Sequence, residues 1–162
     1  MGFGAAVSRC IGLLLLCFAW GQAACAQPLQ VAYLPDGPFA LEAIAQTPTS
    51  RWLSAPAEGI YLGFTPQAYW VRVVVPPLST AHYLSVSYPH LDHLRVYHQQ
   101  EQQGQQWVEL AHTGDQQPFA QRPILHRNFL APIAASFSEQ TLYLWVQTEG
   151  VLQLPLQLLT PA

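Results

Sequence analysis

The 162-residue sequence carries six arginines, no lysine and nine carboxylates, for a formal net charge of −3. Its hydrophobic content of 51 % supports one domain with a proper core, and the length is too short for two comfortable ones. A mildly acidic, lysine-free surface is a poor match for nucleic-acid phosphates, which excludes that class of partner.

Residues 1–26 read as an address label. Arg9 precedes the apolar run 11–20, and small residues then end in Ala24-Cys25-Ala26. This charged, hydrophobic and small-x-small order is that of a secretory signal peptide, with cleavage expected before Gln27. The apolar run is short of the roughly 20 residues that a membrane span needs. A competing reading makes Cys25, after Gln22-Ala23-Ala24, a lipoprotein cysteine. Cys10, Cys17 and Cys25 all lie in this leader, so the exported domain, 27–162, has none. A disulfide-free exported domain must be held by core burial, which suits a Gram-negative periplasm better than a eukaryotic exterior.

Residues 27–34 alternate as a first strand and Pro35-Asp36-Gly37-Pro38 breaks it as a turn. Residues 40–59 form an irregular covering with Leu41, Ile44, Trp52 and Leu53 as anchors, in which 47–50 caps a short helical turn around 51–53 or stays a loop. The chain is organised around 62–97, where three β-rich runs, 62–75, 81–88 and 91–97, are separated by proline and polar breaks. The run 70–75 is aromatic and β-branched enough for a core strand. The glutamine-rich stretch 99–106 reads as a solvated hairpin loop. Strands follow at 107–112, 124–130 and 141–149, with a loop at 113–118 and a tight turn at Gly150. The last strand is 152–159, where Pro155 argues for an edge position or a bulge. About eight strands with almost no helical periodicity predict an all-β sandwich, a jelly roll before an immunoglobulin-like topology.

Several pieces in fixed order then carry a resemblance. They are Gly63 followed by Tyr69-Trp70-Val71-Arg72, Leu84 leading to Tyr88-Pro89-His90-Leu91-Asp92-His93-Leu94-Arg95-Val96-Tyr97, and Thr113-Gly114-Asp115 with Pro118-Phe119. Arg122, Arg127-Asn128-Phe129, and Thr141-Leu142-Tyr143-Leu144-Trp145-Val146 running into Gly150 and Leu154-Pro155-Leu156 complete the set. Over residues 29–160 the chain resembles the second extracellular domain type of the seven-transmembrane receptors with diverse intracellular signalling modules. The resemblance implies a jelly-roll β-sandwich similar to carbohydrate-binding modules. It implies periplasmic sensing of a small ligand, a sugar or carboxylated compound, and signal transduction as the input of a bacterial inner-membrane receptor. It further implies seven transmembrane helices and a kinase, cyclase or phosphatase output, as in two-component systems. These 162 residues contain no such span or output, so the chain reads either as a fragment of a longer receptor or as a stand-alone version served by a partner chain. The family commonly carries an arginine in the strand where Trp145 stands, so no charge-based contact is expected from that position.

The residues themselves nominate ligand contacts. Trp70, Tyr88, Tyr97, Trp107 and Trp145 are the aromatics able to stack on the apolar face of a sugar ring. Trp70 sits among Val71, Val73 and Val75 and reads as core, whereas Trp145 shares a face with Tyr143 and Gln147, opposite Leu142, Leu144 and Val146. Arg122 and Arg127 near Asp115 form the expected polar ligand cluster, since an arginine fork reads carboxylates and paired hydroxyls. Structural ion pairs, Arg122 or Arg127 with Asp115 and Arg95 with Asp92, are the alternative. Tyr88 and Asp92 complete the candidate set with Trp145. His90 and His93 flank Asp92, with His82 and His98 nearby, but they lack the convergent spacing of a metal site. No cofactor and no metal are expected. No nucleophile elbow, phosphate loop or triad appears, so no enzyme is expected. The resulting reading is a ligand-sensing input domain. The alternative is a module for protein–protein contact or homodimerisation through a sandwich face or the 152–159 edge.

Overall fold

The computed structural model describes residues 28–35, 40–100 and 106–161. The leader with its cysteines, the turn around Asp36-Gly37-Pro38 and the tip of the glutamine-rich loop lie outside the described residues. Ten strands are described: β1 (Gln30–Pro35), β2 (Leu53–Ala55), β3 (Gly59–Phe64), β4 (Tyr69–Val75), β5 (His82–Val86), β6 (His93–Gln100), β7 (Gln106–Thr113), β8 (Phe129–Ile133), β9 (Gln140–Gln147) and β10 (Val151–Leu159). A five-residue helix, α1 (Leu41–Ala45), and two 3-10 turns, Thr49–Arg51 and Phe119–Gln121, complete the elements. Among the described residues no helix is long and apolar enough to cross a membrane.

The strands form two antiparallel sheets, one of six strands in the order β2-β1-β4-β9-β6-β7 and one of four in the order β3-β10-β5-β8. From β3 onward the chain crosses repeatedly between them, and β6–β7 is the hairpin that stays within one sheet. The expected all-β sandwich therefore stands. Side chains alternate strictly in the central strands. Val71, Val73 and Val75 of β4, Leu142, Leu144 and Val146 of β9, and Leu94 and Val96 of β6 point inward. There they meet Leu152, Leu154 and Leu156 of β10 and Leu84 and Val86 of β5. All of these except Leu156 are at most 1 % exposed. Each buried leucine or valine contributes roughly 1.5–3 kcal/mol against leaving it in water, so this aliphatic layer is the dominant stabilising term.

Several details differ from the sequence expectation. The run 62–75 is two strands in different sheets, because the Thr65-Pro66-Gln67 stretch turns the chain from one layer to the other. The irregular covering 40–59 contains α1 and β2. Leu41, Ile44 and Trp52 do anchor it, but Leu53 is 48 % exposed. The strand expected at 124–130 lies at 129–133 instead, since 124–128 is held in a loop by side-chain bonds described below. Trp70 is buried, yet away from Val71, Val73 and Val75, because alternation sends it to the opposite face.

Pro155 is not on an edge. β10 is an interior strand that pairs with β3 through 151–155 and with β5 through 156–159, with a register shift between Leu152 and Gln153. Pro155 occupies the change of partner. Its carbonyl accepts from the Ser87 amide at 3.2 Å, and its missing donor falls where the β5 ladder has yet to begin. The 152–159 edge expected to mediate dimerisation is thus already used inside the sheet. Opposite Pro155 stands Gly59, with φ +123°, where a Cβ would fall 1.9 Å from the Leu154 carbonyl oxygen. Gly63 has φ +69° but nothing within 4 Å of an added Cβ. Gly59→Ala is therefore expected to cost about 2–4 kcal/mol, combining backbone strain with a clash, against about 1–2 kcal/mol for Gly63→Ala. Urea unfolding of both variants checks the difference.

Candidate functional site

The face of the six-stranded sheet that points away from the sandwich core is aromatic where the inner face is aliphatic. Register alone sets two rows across it. The first is Leu34, Trp70, Trp145, Arg95 and His112, and the second is Ala32, Arg72, Tyr143, Tyr97 and Glu109. Adjacent members stand about 4.8 Å apart, the strand spacing, which is close enough for direct side-chain contact. A bulge contributes: between Val96 and Tyr97 the pairing with β7 skips Leu110. With Ala111 buried in the core, plain alternation would have sent Glu109 and Trp107 inward as well. The bulge turns both outward, and Trp107 meets Tyr143 edge-on with centroids 5.5 Å apart.

The segment carrying α1 and Trp52 covers half of this face. Ile44 is fully buried, and Leu34, Trp52, Trp70 and Tyr143 form a second apolar cluster with it. Trp52 lies 6.2 Å from the Tyr143 ring, its ring is capped at 4.9 Å by the Arg72 guanidinium, and its Nε1 donates to the Thr47 carbonyl at 3.4 Å. The second row is thereby largely closed. The first row is covered at Leu34 and Trp70 but stays open from Trp145 through Arg95 to His112. Leu41 and Glu42 of α1 face Trp70, Trp145, Arg95 and Tyr97 across a cleft of about 380 Å³. Trp145 is half-buried, and Tyr97 leans on Trp70 at 6.1 Å. The exposed Arg95 donates from Nη1 to the Tyr97 hydroxyl at 3.4 Å. That bond, with Glu109 nearby, raises the Arg95 pKa, so the group is cationic throughout. A larger hollow of about 470 Å³, along His98, Gln99, Ser136, Gln140 and Thr141, adjoins the undescribed loop tip. Its aromatic, Tyr143, is buried by Trp52 and Trp107, so it offers no open stacking surface.

Beyond Trp145 the face ends in a polar cluster. The His93 ring lies 6.2 Å from Trp145, and Tyr88 meets His90 edge-on at 5.4 Å. Asp92 and Asp115 come together here because Gly114 presses its backbone onto the 91–93 segment; a Cβ on Gly114 would fall 1.9 Å from the Asp92 carbonyl oxygen. The Asp115 amide donates to the Leu91 carbonyl at 2.8 Å, and the Glu149 amide donates to Asp92 Oδ2 at 2.7 Å. Desolvation and the neighbouring Asp92 raise the Asp115 pKa above the usual carboxylate value, with His90 and His93 opposing. Among the described residues no three histidine, cysteine or acidic side chains converge in a geometry able to hold a metal.

The six sequence candidates thus divide. Asp92 and Asp115 are neighbours, Tyr88 adjoins them through His90, and Trp145 adjoins them through His93. Arg122 and Arg127 do not join the group, and neither is among the charges that govern Asp115. The Arg122 guanidinium is stacked between Phe119 and Phe129, at 4.8 and 4.6 Å, and donates to the carbonyls of His126 and Arg127 at 2.7 and 3.2 Å. Asn128 ties the same loop to Ser87 at 3.2 Å and to the His126 ring through its amide. Arg127 contributes its backbone and exposes its side chain. Nor does Arg95 pair with Asp92: it turns to Tyr97, while Asp92 receives the Glu149 amide. Glu42 and Leu41 went unnoticed as site residues, and no local signal marks them, since a five-residue helix brings them to the cleft.

The family pattern of the 7TMR-DISM extracellular 2 domain matches residues 29–160, nearly all of the described structure. The chain belongs to that family. It is an extracellular domain of the seven-transmembrane-receptor type, and the two-sheet sandwich described above is its body. No curated protein matches the chain. Most of the pieces that carry the resemblance have structural work in this 7TMR-DISM extracellular 2 domain. Thr113-Gly114-Asp115 docks the β7 end on Leu91 and Asp92, and Arg122 with Asn128-Phe129 locks the loop before β8.

Two outcomes are expected. Arg122→Ala removes two charge-assisted bonds and two stacked faces, so it should cost about 2–3 kcal/mol in denaturant unfolding, while Arg127→Ala leaves stability nearly unchanged. Asp115 has a raised folded-state pKa, so its contribution favours folding while it is protonated and is lost as pH rises through that raised value. Asp115→Asn should therefore gain stability over the unmodified protein as pH rises above the ordinary aspartate value of about 4, measured as melting temperature over a pH series.

Proposed function

We propose that this 7TMR-DISM extracellular 2 domain is the periplasmic ligand-sensing input of a bacterial membrane receptor, and that it binds a carbohydrate or a similar small polar ligand on the outer face of its six-stranded sheet. Export through the 1–26 leader completes the reading. One observation carries it: Trp70, Trp145 and Arg95 stand side by side in one cross-strand row, at the floor of a cleft walled by Leu41 and Glu42. A sugar needs an aromatic platform for its C–H face and charged or amide groups for its hydroxyls, and this row supplies both. Tyr88, Asp92 and Asp115 do not line the cleft; the reading includes them as a polar extension reached from Trp145 through His93. Arg122 is assigned to the fold, and Arg127, which lends only its backbone there, is left out of the binding surface.

Contact with a partner protein is the second reading, favoured by β3. This strand is an edge of the four-stranded sheet and presents Tyr61 and Phe64 at 70 % and 81 % exposure.

The test is a thermal-shift screen of the purified chain with sugars, uronic acids, amino acids and divalent cations. A ligand that binds the folded state alone stabilises it by about 2.7 kcal/mol at a hundredfold excess over Kd. Trp145→Ala should abolish the shift while moving the unliganded melting temperature little, whereas Trp70→Ala, at 4 % exposure, should lower stability by about 3–5 kcal/mol. A folded protein without any ligand shift, sedimenting as a dimer that Phe64→Ser dissociates, would transfer the function to the second reading.

A further inference from the structure

We infer that the ligand of the Trp145 cleft is a neutral sugar, read through its hydroxyls by Arg95 and Glu42 from opposite sides. This deepens the carbohydrate reading above and rests on it.

The outer face of the six-stranded sheet presents two arginines, Arg72 and Arg95, and α1 and β7 bring two glutamates to it, Glu42 and Glu109. Arg72 stacks on the Trp52 ring at 4.9 Å. Arg95 has Glu109 as an electrostatic neighbour on the β7 side and Glu42 among the groups lining its own cleft. The histidines that face the row are His93 and His112. An anionic ligand would gain Arg95 but bring its charge into a cleft that already holds one carboxylate and has another close by. A cationic ligand meets the converse difficulty at Arg95. The Trp52 ring does not neutralise Arg72, so two arginines stand against two glutamates and the face has no charge surplus to offer either.

Donor and acceptor chemistry then selects what does fit. A guanidinium only donates and an ionised carboxylate only accepts. Among the described residues the Arg95 side chain makes one hydrogen bond, through Nη1 to Tyr97 at 3.4 Å, which leaves most of its five N–H groups for a ligand. A sugar hydroxyl both donates and accepts, so one pyranose can accept from Arg95 and donate to Glu42. Its apolar face covers Trp145, the immediate cross-strand neighbour of Arg95. Paired hydroxyls match the planar fork of arginine and the two oxygens of a carboxylate alike.

The experiment is calorimetric titration of the purified chain with matched pairs, glucose and glucuronate, galactose and galacturonate, together with mannose, xylose, glucosamine and phenylalanine. The neutral member of a pair should bind at least about tenfold tighter than its uronate, with an affinity nearly flat between low and high sodium chloride, since no net charge is being neutralised. Arg95→Gln and Glu42→Gln should each weaken that neutral sugar at least about tenfold while leaving the unliganded melting temperature in place. Tighter binding of a uronate, of glucosamine or of phenylalanine would overturn the assignment, as would a neutral sugar indifferent to both substitutions. Those outcomes leave a ligand-binding domain with a different ligand. Binding of nothing in the panel by a folded protein would remove the carbohydrate reading, and this inference with it.

Discussion

The register of β4, β9 and β6 is the constraint on which the rest depends. Val71 faces Leu144, which faces Val96, while Trp70 faces Trp145, which faces Arg95. Side chains in a strand alternate between faces, so these two sets of pairs separate an aliphatic layer from an aromatic row only in this register. A slip by one residue in β9 would bring Tyr143 and Trp145 into the sandwich and put Leu142, Leu144 and Val146 outside. The interior is too tightly filled to accept the rings, and the loss of aliphatic burial would oppose the slip as well. Fold stability and site geometry are therefore one condition. The hydrophobic effect that pins the inner face also places the outer row.

The aromatic face poses a problem that the N-terminal segment resolves in part. A bare face of three tryptophans and two tyrosines would be an aggregation surface. α1 and Trp52 bury the Trp70 and Tyr143 side of it, and Trp107 closes over Tyr143 from β7. The cover stops short of Trp145 and Arg95, and the cleft is what remains between the short helix and the sheet. The wall of the site is thus a short element, five helical residues with Ile44 as the buried one, while its floor is the central part of the six-stranded sheet.

The charged residues follow a division of labour that composition alone does not show. With so few cations, each arginine has a distinct environment. Arg72 stacks on Trp52, Arg122 is clamped between Phe119 and Phe129, and Arg95 keeps its fork beside Trp145. Proximity along the chain to Asp115 suggested that Arg122 and Arg127 would meet it. Instead the 114–128 loop folds on itself, because two carbonyl oxygens and two rings satisfy a guanidinium better than a solvent-exposed carboxylate does. Asp115 turns to Asp92 and the histidines, which only the close backbone contact at Gly114 permits.

Strand content, the sandwich class and the inner face of β9 were legible from period-2 alternation, since burial of one face imprints itself directly on residue order. So was Trp145 as the outward-facing aromatic, for the same reason. The family was legible from motifs whose glycine, proline and arginine positions the structure explains by close contacts and loop locks. Three things were decided by tertiary structure. The bulge at Leu110 turned Trp107 and Glu109 outward against the local alternation, because β7 must follow both the core at Ala111 and the aromatic face at Tyr143. Pro155 entered an interior strand because the change of partner from β3 to β5 leaves its missing donor unneeded. Glu42 became a cleft residue only when α1 docked through Ile44. Local sequence encodes which face a side chain takes within a regular strand. It does not encode where ladders shift or where a short helix lands, because those depend on contacts between residues far apart in the chain.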